Sequence, residues 1–226
     1  MRFELSGVTL GYGADAVVGG LDLEVRSGEI LVVVGGSGCG KSTLLRALAG
    51  LLPPRGGRIL ADGQPVRGPS SERALMFQED ALLPWRSARR NVELALAIRK
   101  VPDRRRHSER WLAEVGLGEH AARLPAQLSG GQRQRVQLAR TLAAQPRAIL
   151  MDEPFGALDA QTRAGMQQML LDLHRANPAT VVFVTHDVDE ALILADRVAV
   201  LTPRGVEAVL DASAATKEEI LCSLRA

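Results

Sequence analysis

The chain has 226 residues, 46% hydrophobic and 24% charged, enough to bury a sizeable core within one large domain. A formal net charge of +2 gives no electrostatic case for nucleic-acid binding. Its two cysteines, Cys39 and Cys222, exclude a disulfide framework or a cysteine metal site and fit a reducing setting.

The N-terminus, MRFELSGVTL, has no signal-peptide core, and no apolar run nears the roughly 18–20 residues that cross a bilayer. A soluble chain is expected, held by a partner if it works at a membrane. The first 28 residues alternate apolar and polar and predict antiparallel strands with one wet face. EILVVVGG is a continuous β-branched run, as in a strand buried on both faces. ALMFQ, AILMDEP, VVFVTH and RVAVLT repeat that pattern, mostly with helical stretches between them, so an α/β doubly wound core is expected. Residues 79–146 lack a convincing strand. They predict a helix, a basic turn (PDRRRHSER), a second helix and the helix behind LSGGQ, stopped at Pro146. One domain over 1–226 is expected: a core of about 1–78 and 147–211, a helical subdomain of about 79–146, and a short C-terminal helix at 212–226.

Chemistry-bearing residues fall where these strands end. GGSGCGKST, Gly35–Thr43, has phosphate-loop spacing between a buried strand and a helix. Gly35, Gly36, Ser37, Gly38, Cys39 and Gly40 let backbone N–H groups turn inward on phosphate, and the helix start adds partial positive charge. Lys41 is expected to reach the β- and γ-phosphates, and Ser42 to ligate Mg²⁺. Cys39 reads as a small filler, although a thiol beside a helix start invites alkylation that bound ATP would block. Asp152 and Glu153 end a buried strand, at the edge where open α/β sheets bind ligands. Asp152 suits Mg²⁺, and Glu153 suits polarising the attacking water; a solvent-facing helix cap is the bland alternative. His186 also follows a strand and can reach the γ-phosphate, whereas His107, His120 and His174 read as solvated. Gln78, at the end of ALMFQ, can touch Mg²⁺ or the water, or be a plain polar strand end. Tyr12, the single tyrosine, can stack on adenine or merely pack on its own hairpin.

The order of phosphate loop, Gln78, LSGGQ, AILMDEP, GALD and His186 resembles the ABC-type ATPases from Phe3 to about Leu210. The resemblance implies a P-loop NTPase (RecA-like) α/β core, an N-terminal antiparallel β subdomain and an inserted helical subdomain. It implies roles for Tyr12 at adenine, for Lys41, Ser42 and Thr43 in the phosphate loop, and for Gln78, Glu153 and His186 in hydrolysis. Ser129, Gly130, Gly131 and Gln132 match the family signature, and Asp159 the aspartate of GALD. In that family the signature binds ATP held by a second subunit, two chains facing head to tail. A helix start with free N–H groups is chemically suited to that.

FQEDALLPW is similar to the nitrate/sulfonate/taurine importers of bacteria, and Leu82, Leu83 and Trp85 are expected to be exposed and to meet a transmembrane permease. The segment PRGVEAVLDASAA departs from those importers. The expected protein is the ATP-hydrolysing subunit of a bacterial importer of a small anionic solute. It would be peripheral on the cytoplasmic face of the cell membrane and served indirectly by a solute-binding protein. A soluble ABC ATPase of Fe–S assembly type and an exporter ATPase are the alternatives within the family. A non-hydrolysing nucleotide-binding module would leave Glu153 and His186 unexplained, and a P-loop phosphotransferase would leave LSGGQ unexplained.

Overall fold

The structure, a computed structural model, describes residues 1–13, 15–79 and 81–224; Asp80 of the EDALLPW segment and the last two residues of the expected C-terminal helix lie outside them. The chain divides into two compact units, Met1–Leu75 with Arg147–Glu153 and His174–Ala226, and Met76–Pro146 with Pro154–Leu173.

The first unit holds two sheets. The alternating N-terminal segments form β1 (Phe3–Tyr12) and β2 (Asp15–Val25), which pair antiparallel, Phe3 opposite Val25 and Leu10 opposite Val18. Two further strands, β4 (Gly56–Ala61) and β5 (Gln64–Pro65), complete the order β2-β1-β4-β5. The second sheet is built from the continuous apolar runs. These are β3 (Ile30–Val34), β6 (Arg73–Met76), β7 (Ala148–Asp152), β8 (Thr180–Thr185) and β9 (Arg197–Thr202). An edge strand, β10 (Gly205–Asp211), pairs antiparallel to β9 and gives the order β10-β9-β3-β8-β7-β6. Every residue of β3 and β8 is buried, as parallel strands covered on both faces require. Helices α1 (Lys41–Ala49), α6 (Val188–Leu194) and α7 (Lys217–Ser223) belong to this unit, α7 being shorter than the 212–226 expected for the C-terminal helix.

The second unit is built around α2 (Ala88–Ile98), α3 (Arg104–Glu114), α4 (Gly130–Ala143) and most of α5 (Ala160–Ala176). Leu82, Val92, Leu96, Leu112, Val136 and Ala139 form its core, with Met169 and Leu173 packed against them. The expected basic turn is for the most part helix α3. Ser108 and Leu112, four residues apart, are buried, and Arg105–Glu109 and Arg110–Glu114 pair on the exposed surface of the helix. Among the described residues no helix is long and apolar enough to cross a membrane.

Candidate active site

The phosphate loop leaves β3 through Gly35, where an added Cβ would sit 2.5 Å from both Cys39 Sγ and Leu201 O. It enters α1 at Gly40, with φ of 102°, where a Cβ would lie 2.1 Å from Val18 Cγ2. No L-residue fits that position without strain and without displacing the Val18 side chain of β2. The first amides of α1, including those of Lys41, Ser42 and Thr43, have no acceptor one turn back within the helix, so they are available to phosphate. Lys41 is buried, and its ammonium donates to the carbonyls of Gly35 and Gly36 at 2.9 Å each.

Strand register sets the rest of this edge. β3, β8 and β7 are adjacent and parallel, with Val34 opposite Thr185 and Val184 opposite Asp152. Their C-terminal ends therefore lie side by side. The Ser42 hydroxyl donates to Asp152 Oδ1 at 2.9 Å. One residue on, the Glu153 amide donates to Val184 O at 3.0 Å, holding Glu153 at a φ of 41° that side chains rarely adopt. Its Oε2 lies 2.9 Å from His186 Nδ1. The carboxylate is mostly covered while the imidazole is 67% exposed, so the histidine can move while the acid stays fixed.

Burial raises the Asp152 carboxyl above its ordinary range; the Ser42 bond pulls it back in part, and the charge of Glu153 adds to the rise. A carboxylate whose folded-state pKa is raised costs stability at neutral pH, and that cost disappears as pH falls through the raised value. Asp152→Asn is therefore expected to raise the thermal midpoint of the nucleotide-free chain at pH 7 while removing turnover. The gain should shrink toward acid. A lower midpoint at pH 7 would contradict the assignment.

In the second unit, LSGGQ opens α4. Ser129 Oγ accepts from the Gln132 amide at 3.2 Å, and Gln132 Oε1 accepts from the Ser129 amide at 3.0 Å, a reciprocal cap. This cap occupies the amides of Ser129 and Gln132, and leaves the amides of Gly130 and Gly131 and the Ser129 O–H proton free to donate. Ser129, Gly131, Asp159, Thr162 and Arg135 line a cleft of about 640 Å³. Asp159 caps the start of α5. The hydroxyl of Thr162 and then its amide, at 2.6 and 3.0 Å, hold the Asp159 carboxyl below its ordinary value.

A family model described as ABC transporter matches residues 18–156. This chain belongs to the ABC transporter family. It is 52% identical over 200 residues to the aliphatic sulfonates import ATP-binding protein SsuB of Mycobacterium avium, covering 88% of this chain and 76% of that one. It is 50% identical over 192 residues to the taurine import ATP-binding protein TauB of Chromobacterium violaceum, covering 84% and 74%. The dimeric structure of the ATP-binding cassette MJ0796, in a post-hydrolysis state bound to ADP and Pi, superposes with a TM-score of 0.80 at 31% identity, over 93% of this chain and 98% of that one. The chain is thus an ATP-binding, ATP-hydrolysing subunit of this transporter family, with the fold that the motif order implied.

For this ABC subunit, several expectations change. Leu82 is not exposed: it is 7% accessible and packs in the helical core, because Leu83 is pinned through Asn91, whose Oδ1 accepts from the Leu83 amide at 2.8 Å. Leu83 is half-buried, and Trp85 alone of the three stands out, 71% exposed. Cys39 is buried, so alkylation there must wait for the loop to open. Tyr12 is exposed, and its hydroxyl accepts from Arg46 of α1 at 2.9 Å. His107 is exposed, but His120 and His174 are half-buried, with His174 Nε2 2.8 Å from Ala179 O. Strand β6 stops at Met76, so Gln78 is an exposed loop residue of the second unit rather than a strand end.

Sequence reasoning missed Arg46, Gln137 and Thr162. Gln137, fully buried, donates to the carbonyls of Phe77 and Glu79 at 3.0 and 3.2 Å and so fastens the backbone on both sides of Gln78 to α4. Only Thr162 left a local signal, three residues after a capping aspartate.

Proposed function

We propose that this subunit powers bacterial import of a small anionic solute bearing a sulfonate group, and that two copies close head to tail on two ATP molecules. The sulfonate and taurine relatives support the solute class and the direction. The arrangement that carries the reading is the sheet edge where Ser42 meets Asp152 and Glu153 meets His186.

In this reading, Tyr12 stacks on adenine, and the loop amides with Lys41 hold the phosphates. A hydroxyl and a carboxylate oxygen 2.9 Å apart are hard donors suited to Mg²⁺. Among the described residues no cluster of three His, Cys, Asp or Glu could hold a metal alone, so water and phosphate oxygens would complete the shell. When bound, Mg²⁺ supplies charge neutralisation at the β- and γ-phosphates. Glu153 orients a water in line with the γ-phosphorus and draws on its proton. The water oxygen bonds to phosphorus as the bond from phosphorus to the bridging oxygen breaks. His186 donates to a γ-phosphate oxygen and keeps Glu153 aimed. Gln78 senses the same ion or water from its loop. Ser129, Gly130, Gly131, Gln132 and Asp159 serve the ATP held by the second copy, the free amides of Gly130 and Gly131 meeting the phosphate.

The chain sits peripherally on the cytoplasmic face of the membrane. Trp85, with Leu83 behind it, receives a permease segment, and a solute-binding protein delivers cargo to that permease. A soluble Fe–S assembly role would leave an exposed tryptophan at this position without a partner.

A strain lacking this chain is expected to lose growth on taurine or an alkanesulfonate as sole sulfur source while growing normally on sulfate. The wild-type chain restores growth, and Glu153→Gln does not. Normal growth of the deletion strain on every sulfonate would overturn the solute class.

A further inference from the structure

Gly131 poses a packing question. It lies in the first turn of α4, and its φ is not in the left-handed region, so backbone freedom does not call for glycine there. Its neighbour Gly130 meets only the tip of Arg133, at 4.0 Å. At Gly131, however, an added Cβ would sit 2.6 Å from Thr162 Cγ2. Real Cβ atoms do not approach that closely, and Thr162 cannot swing away freely. Its hydroxyl is bonded to Asp159 Oδ2 at 2.6 Å and its amide to Oδ1 at 3.0 Å, so one χ1 rotamer serves both the bond and the packing.

We propose that Thr162 is a positioning residue that keys the Asp159 turn to the signature helix, and that its methyl group is what demands glycine at 131. Each carboxylate oxygen of Asp159 accepts one bond from Thr162, and the methyl on the same Cβ rests against Gly131. The two halves of the cleft wall are therefore set by one side chain. A shift of the signature helix reaches Asp159 through that methyl, and a rotation of Asp159 reaches Gly131 through the hydroxyl. The packing part stands on this chain alone; the effect on turnover rests on the two-copy site proposed above.

A double-substitution cycle tests this on the full chain: wild type, Gly131→Ala, Thr162→Ser and the pair. Serine keeps the hydroxyl bond and removes the methyl. Gly131→Ala is expected to lower kcat by about tenfold or more in the wild-type background, and by less than about threefold beside Thr162→Ser, since neighbours in contact do not add. The thermal midpoint should show the same rescue, a readout that survives even if turnover is lost altogether. Thr162→Val keeps a methyl and removes the hydroxyl bond to Asp159 Oδ2, leaving only the amide bond to Oδ1. It should lower kcat while leaving the affinity for a fluorescent ATP analogue unchanged, and Thr162→Ser should retain more turnover than Thr162→Val. Equal losses from Gly131→Ala in both backgrounds, in turnover and midpoint, would overturn the keying and assign the glycine to phosphate approach alone. A Thr162→Val chain with wild-type kcat would overturn the hold on Asp159. If the two-copy reading itself fails, the midpoint rescue persists while ATP leaves the Glu153→Gln chain monomeric, so the two failures are distinguishable.

Discussion

Glu153→Gln is expected to cut ATP turnover by about 10²–10⁴-fold, the span that a positioned general base contributes, and to leave ATP binding intact. Glutamine keeps the shape of the side chain, so the backbone at φ 41° and the contact with His186 Nδ1 can persist. Burial is the main reason the Asp152 carboxyl is raised, and the substitution removes the negative charge that adds to that rise. Asp152 should then ionise more readily, and Mg²⁺-dependent nucleotide binding should hold or tighten. Phosphate release and nucleotide binding, measured on the same preparation, check both halves. Turnover within a few-fold of wild type would remove Glu153 from the chemistry and leave His186 as the remaining candidate.

Gly40→Ala should be severely damaging to nucleotide binding. Its Cβ would lie 2.1 Å from Val18 Cγ2, and Val18 is fully buried in the core, so the strand cannot yield cheaply. The φ of 102° adds strain that no repacking removes. The loop must move, and a displacement of about 1 Å at a phosphate cradle is enough to lose on the order of 10²-fold. ATP affinity is expected to fall by at least that factor, while the helical unit keeps its structure. Adding Val18→Ala should recover only part of the loss, because the strained backbone stays. Wild-type affinity in Gly40→Ala would mean that nucleotide does not sit in this loop.

How much of this was legible in the chain follows from how local each signal is. The central strands were, because ILVVV, AILM and VVFV are unbroken apolar runs, mostly β-branched, of strand length. Strand β4 was not singled out, since its glycine pair reads as a turn and its pairing with β1 and β5 holds it extended. The start of helix α3 hid in Arg104, Arg105 and Arg106, which read as part of a basic turn, and Leu82 hid behind an apolar cluster that looked like surface. In the site, strand ends marked Asp152, Glu153 and His186 individually. Their contacts were out of reach: Ser42 and Asp152 are 110 residues apart, Glu153 and His186 33, and only sheet order joins them. Arg46 meets Tyr12 across 34 residues for the same reason.

In the proposed head-to-tail pair, LSGGQ and Asp159 complete a site on another copy of the chain. The most direct test is the molar mass of Glu153→Gln by light scattering, with and without ATP and Mg²⁺, beside the same chain carrying Ser129→Phe. The expected result is a monomer that becomes a dimer on adding ATP, and a Ser129→Phe chain that binds ATP and stays monomeric. A Glu153→Gln chain that binds ATP at full occupancy and remains a monomer would contradict it.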